Sequence, residues 1–140
     1  MNASYSKMLG LTYEELLKNS AFLSAIGGNV PEKISKDSKN FHVLSPSKNI
    51  SFTFGNDTRS LKFASLSPDS NGCFAFGLTT EMNEQRATAM FGKPLEGRPA
   101  QKVPLLGQVG AWGTHVVEGC KLMLMYSADT GNLEVVRFTL

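Results

Sequence analysis

From Phe41 onward the apolar residues of this chain fall on alternate positions, and this pattern restricts the fold more than any other feature. Phe41 and Val43, then Ile50, Phe52 and Phe54, put large side chains on one face, with Ser51 and Thr53 on the other. Period-two alternation specifies half-buried strands, because successive side chains of an extended backbone point to opposite faces. Pro46 to Asn49 turns between the first two strands. Gly55-Asn56-Asp57 makes a second turn, and Leu61 and Phe63 belong to a third strand that ends near Pro68. Three more strands are expected at Ala111 to Val117, Lys121 to Tyr126 and Leu133 to Leu140, with turns at Gly119 and at Asp129-Thr130-Gly131-Asn132. Leu122 to Tyr126 is apolar on both faces and calls for two covers: a helix on one side, and the other half of the chain or a partner protein on the other.

Helical spacing appears ahead of each strand group. Thr12-Tyr13-Glu14-Glu15 is a capping box, and Tyr13, Leu16 and Leu17 follow on one face. The pattern restarts after Asn19 through Phe22, Leu23 and Ile26, and stops at Gly27-Gly28. A second helix is capped by Asn83 and stopped by Gly92 and Pro94, with Ala87, Met90 and Phe91 at the spacing of a single buried face. Beyond Pro94, a segment containing Gly97, Pro99 and Pro104 reads as a loop. Gly10-Leu11-Thr12 and Gly77-Leu78-Thr79 open the two halves alike. The expected architecture is therefore α+β: one domain over residues 1–140, an antiparallel sheet with short helices on one face, and an α-β-β-β pattern repeated over 8–70 and 74–140.

Composition excludes several classes. Apolar residues make up 41% and charged residues 19%, as in an ordinary globular protein, and no apolar run reaches the roughly 18 residues of a membrane span. Met1 to Leu11 does not read as a secretory signal, so a cytoplasmic location is expected. Net charge is +2, without a basic stripe interleaved with aromatics, which argues against nucleic acid as a partner. Lys33, Lys36 and Lys39 read as a solvated loop. Cys73 and Cys120 have no metal-ligand spacing and read as reduced thiols packed as small apolar groups.

Catalytic signatures are missing. His42 and His115 are the two histidines, and His115 and Glu118 on one strand would face opposite ways, so they do not form a metal site by themselves. Gly92-Lys93 lacks the earlier glycine and the following Ser or Thr of a phosphate loop. No nucleophile elbow or dinucleotide fingerprint occurs, so no enzyme activity, cofactor or metal is expected. Trp112, between Gly110 and Gly113, either fills the core under the second helix or anchors an interface. Met123 and Met125 are expected in the core, on the central strand.

Several phrases together resemble a family. Phe76-Gly77-Leu78, Met82-Asn83, Met90-Phe91-Gly92-Lys93-Pro94, Trp112 and a closing hairpin Leu-x-Met-x-Tyr-x-x-x-x-Gly-x-Leu-x-x-Val-x-Phe look like bacterial pyocin-type and colicin-type immunity proteins. Leu9 to Glu15 is similar to the opening of that group, and related phrases occur in the tandem repeats of β-lactamase inhibitory proteins. The resemblance implies a protein that neutralises a cognate toxin by binding it. Contacts are then expected among exposed charges and the aromatic anchor: Glu14, Glu15, Asp57, Glu81, Glu84, Trp112 and Glu118. The competing expectation is a small-ligand-binding or regulatory domain with a closed apolar pocket. Pairing of the final strand across a homodimer is left open.

Overall fold

The computed structural model describes residues 4–31, 37–74, 78–117 and 119–140. Lys33, Lys36, Phe76, Gly77 and Glu118 therefore lie outside the described residues. Helices α1 (Ser4–Met8), α2 (Tyr13–Leu16) and α3 (Ser20–Ile26) precede strands β1 (Asn40–Leu44), β2 (Ile50–Gly55) and β3 (Leu61–Leu66). Helix α4 (Glu84–Phe91) precedes β4 (Glu96–Arg98), β5 (Gln101–Val103), β6 (Gly107–Val109), β7 (Trp112–Val117), β8 (Cys120–Tyr126) and β9 (Leu133–Thr139). The fold is mostly antiparallel sheet with a few short helices.

Seven strands form one sheet in the order β1-β2-β3-β9-β8-β7-β4, and β5 and β6 pair separately. Each half contributes a three-strand meander, and the meanders join through their third strands, β3 and β9, with Leu66 opposite Val136 and Phe63 opposite Thr139. β9 is thus an interior strand, paired on both sides, and is not free to pair across a homodimer as the sequence left open.

One face of the sheet is covered. By alternation it carries Phe41, Val43, Phe52, Phe54, Ala64 and Leu66 from the first meander, and Leu122, Leu124, Val136 and Phe138 from the second, all buried in one core with Met8, Leu16, Phe22, Ile26 and Ala87 of the helices. Aromatic rings fill the first half. Phe41 and Phe54 stack with centroids 4.9 Å apart, Phe22 meets Phe52 edge-on at 5.0 Å, and Tyr13 meets Phe54 edge-on at 5.6 Å. Such pairs add about 0.5–1.5 kcal/mol each beyond area burial.

The helix signals act as their chemistry dictates. Thr12 Oγ1 accepts from the Glu15 N–H while Glu15 Oε1 accepts from the Thr12 N–H, both at 3.1 Å. Asn19 Oδ1 accepts from Phe22 N–H and Asn83 Oδ1 from Arg86 N–H, each at 3.0 Å. Gly27 ends α3 in the left-handed region at φ 56°, which a residue with Cβ adopts only at a cost. α1 has no counterpart in the sequence reading, because five residues are too few to display a period, yet its Met8 is fully buried.

Several expectations are corrected. Met90 is 59% exposed: α4 lies over β7 near the sheet's end, and its contact stripe is narrowed to buried Ala87 and half-buried Phe91. The expected loop after Pro94 contains three strands. Their side chains are mostly exposed, so backbone pairing forms them without leaving an apolar alternation to read. Cys120 is buried as expected, but Cys73 is exposed in the turn after β3. β8 is covered on one face alone: Leu122 and Leu124 are fully buried, whereas Met123 is half-buried and Met125 is 37% exposed. The two methionines are outside the core because the second meander continues the first edge to edge and does not stack on it.

Candidate functional site

Among the described residues the helices pack on one face of the sheet, and the opposite, helix-free face carries side chains that range from buried Thr53 and Thr114 to exposed Met125 and Val116. Strand register places its side chains in three cross-strand rows. Arg98, Trp112, Met125 and Val135 form the first. The second runs Glu96, Thr114, Met123, Arg137, Ser65, Ser51 and Leu44, and the third Val116, Lys121, Thr139, Phe63, Thr53 and His42. Trp112, Met123, Val135 and Phe63 are half-buried, and Val116 is 59% exposed. Rigid backbone pairing holds these groups in fixed positions, as a recognition surface requires.

Its polar groups are partly pre-arranged. Arg137 lays its guanidinium 4.6 Å from the centre of the Phe63 ring, and its Nε donates to Ser65 Oγ at 3.2 Å. His42 Nδ1 and Thr53 Oγ1 are hydrogen-bonded at 2.8 Å. Thr114 Oγ1 is buried without a hydrogen-bond partner among the described residues. Charge on the three described rows comes from Arg98, Lys121 and Arg137 against Glu96, so those rows carry net positive charge, with exposed Glu134 beside Val135 at the register shift of β9. β5 and β6 continue the β4/β7 ribbon as a hairpin whose tip exposes Leu105 and Leu106.

The covered side holds the other titratable groups of interest. His115 is 2% exposed, its Nδ1 is 3.1 Å from Gly92 O, and its ring lies 5.7 Å from that of Phe91. Burial holds its pKa below the ordinary histidine value, with the Gly92 carbonyl opposing. Burial, and then the Glu84 carboxylate, push the Tyr126 phenol up to about 12. The Gly92 carbonyl and the Phe91 ring give His115 a structural role. Among the described residues no group of three His, Cys, Asp or Glu side chains is placed to hold a metal ion.

The residues expected from sequence are distributed over several elements. Glu14 pairs with Arg59 Nε at 2.5 Å, and its own backbone N–H and that guanidinium hold its carboxyl below the usual range. Arg59 lies in turn over Phe41, 5.1 Å from the ring centre. Glu15 is committed to the capping box. Asp57 accepts from Thr58 N–H at 2.8 Å and borders an open polar concavity of about 580 Å³ with Ser38, Lys39, Asn56 and Lys62. Glu81 is exposed in the turn before α4. Glu84 and Trp112 border one crevice of about 30 Å³ together with Thr88, Pro94, His115 and Tyr126, room for about one water. A second open concavity of about 420 Å³ is bordered by Val30, Leu44, Pro46 and Lys48.

Of the described members of the expected set, Trp112 alone belongs to the rows of the helix-free face, where Met123, Met125, Val135, Arg137 and Phe63 join it. The two-sided apolar pattern of Leu122 to Tyr126 was the signal that could have found the methionines.

No family model and no curated protein matches the chain. Among solved structures, it is similar to the crystal structure of a DUF4309 family protein, YjgB, from Bacillus subtilis. The two are 12% identical, the match covers 99% of this chain and 90% of that chain, and the TM-score is 0.50. At this identity the likeness is one of fold.

Proposed function

We propose that this chain is a bacterial immunity protein, an α+β tandem repeat over 8–70 and 74–140 that binds and neutralises a cognate protein toxin in the cytoplasm. The helix-free face is its binding surface. The observation that carries this reading is the row Trp112–Met125–Val135, an aromatic and aliphatic strip held on a rigid sheet, half-buried at Trp112 and Val135 and exposed at Met125, on the face opposite the one that the described helices cover. Exposed apolar groups rimmed by charge are the composition of a protein interface, and Trp and Met are enriched at such centres. The family resemblance of the helix and hairpin phrases points the same way. No particular observation favours the small-ligand reading, since the two larger concavities are open and partly polar.

Co-purification tests the proposal. The tagged chain is expressed with the product of the open reading frame immediately upstream in its native bacterium, and the eluate is weighed. A stoichiometric partner that kills cells when expressed alone is the expected result, with protection abolished by Met125→Asp. Recovery of the chain alone, with no toxicity from its neighbour, overturns the immunity reading. Protection that survives Met125→Asp and Trp112→Ala together moves the interface off this face.

A further inference from the structure

The middle of the helix-free face holds a cation that is fixed in place before any partner arrives. Arg137 lies on β9, the strand at the seam between the two meanders, with Met123 beside it on β8 and Ser65 beside it on β3. Its ring contact with Phe63 and its Nε bond to Ser65 hold the guanidinium against the sheet, and they use one of the five N–H donors. The side chain is half-buried, and among the described residues it makes no ion pair. Its nearest cationic neighbour on the face is Lys121, diagonal to it across β8 and β9, while the acid of its row, Glu96, stands three strands away.

Resting on the binding reading above, we infer that Arg137 is the specificity anchor of this face and takes a carboxylate of an acidic protein surface through its free Nη groups. A planar fork matches a carboxylate at two points, which an ammonium group does not. A guanidinium already stacked and tethered loses little further freedom when it binds, so the favourable part of the contact is retained. Its central position among half-buried apolar groups means that an incoming aspartate or glutamate is shielded from water by Met123 and Phe63. Arg98 and Lys121, nearer the margin, add attraction of a kind that salt screens.

Two measurements separate this inference from the reading it rests on. The upstream-encoded protein is titrated against wild type, Arg137→Lys, Ser65→Ala and Lys121→Ala. Arg137→Lys is expected to weaken binding by about 30-fold or more with an unchanged melting temperature, the loss of a desolvated forked pair. Lys121→Ala should cost about threefold or less, in a salt-dependent way, and Ser65→Ala should fall between the two. Binding of Arg137→Lys within threefold of wild type overturns the anchor while leaving the binding reading intact. Should that protein not bind wild type at all, the binding reading fails, and acetate becomes the probe. The ¹⁵Nε–H resonance of Arg137 is followed against acetate at constant ionic strength, beside that of exposed Arg86. Saturation of Arg137 at lower acetate than Arg86 supports a preorganised carboxylate site; equal response of the two overturns it.

Discussion

Gly110→Ala tests how closely the second meander is packed at the end that presents Trp112. A Cβ at Gly110 would lie 1.8 Å from Tyr126 O, 2.9 Å from Tyr126 C and 3.1 Å from Ala128 N. All three are backbone atoms, so no side chain can rotate away, and Gly110 is not among the residues at positive φ, so the penalty is steric. Ordinary carbon–oxygen contacts begin near 3.3 Å, so the chain must separate there by roughly 1.5 Å. That displacement strains the adjoining bond from Tyr126 N–H to Ala111 O, now 2.9 Å. Overpacking costs about 1–3 kcal/mol and loss of the bond about 1 kcal/mol, together roughly 2–4 kcal/mol. For a chain of this length the melting temperature should fall by about 6–15 °C, read by calorimetry, with an unchanged urea m-value showing that the unfolded state is not the cause. Gly119→Ala is the control. Its site is open but at φ 80°, so only the conformational cost of about 1 kcal/mol applies. A Gly110→Ala protein that melts no lower than Gly119→Ala would refute the packing argument.

Thr12→Ala removes the side-chain half of the capping box and should destabilise by about 1 kcal/mol, measured by urea unfolding; Thr12→Ser, which keeps the capping hydroxyl, should lose little of that stability. His115 binds its proton less readily folded than unfolded, so the unfolded chain takes up more protons and stability rises with pH. The contribution is complete above the ordinary histidine value of about 6.5 and is lost as pH falls through the lowered folded value. His115→Gln should flatten unfolding free energy against pH in that window, and an unchanged slope would remove His115 as its source. Leu105 occupies φ 71° at the hairpin tip with its side chain in solvent, so Leu105→Gly should stabilise by up to about 1 kcal/mol in thermal melts.

The local structure of this protein was legible in its sequence wherever a short stretch carries both its signal and its partner. Thr12 with Glu15, Asn19 with Phe22 and Asn83 with Arg86 are contacts over three residues, and the helix starts follow from them. Alternation from Phe41 and from Leu133 likewise marks the strands of the main sheet, because a half-buried strand must put its apolar groups on one side. Exposed pairing leaves no such mark, and in the sequence β4, β5 and β6 are indistinguishable from loop.

What a strand buries on each face was decided only by tertiary structure. The apolar run Leu122 to Tyr126 records that both sides of β8 favour leaving water, but not what meets them. Joining β3 to β9 at their edges leaves a single layer, with the described helices on one side and half-buried Trp112 and Met123 beside exposed Met125 on the other. Arg137 becomes a fixed cation for the same reason: Ser65 and Phe63 are more than seventy residues away and reach it only across that seam. The amino-acid order determines which side chains share a face within one strand; which strands become neighbours depends on long-range pairing energies that no local pattern encodes.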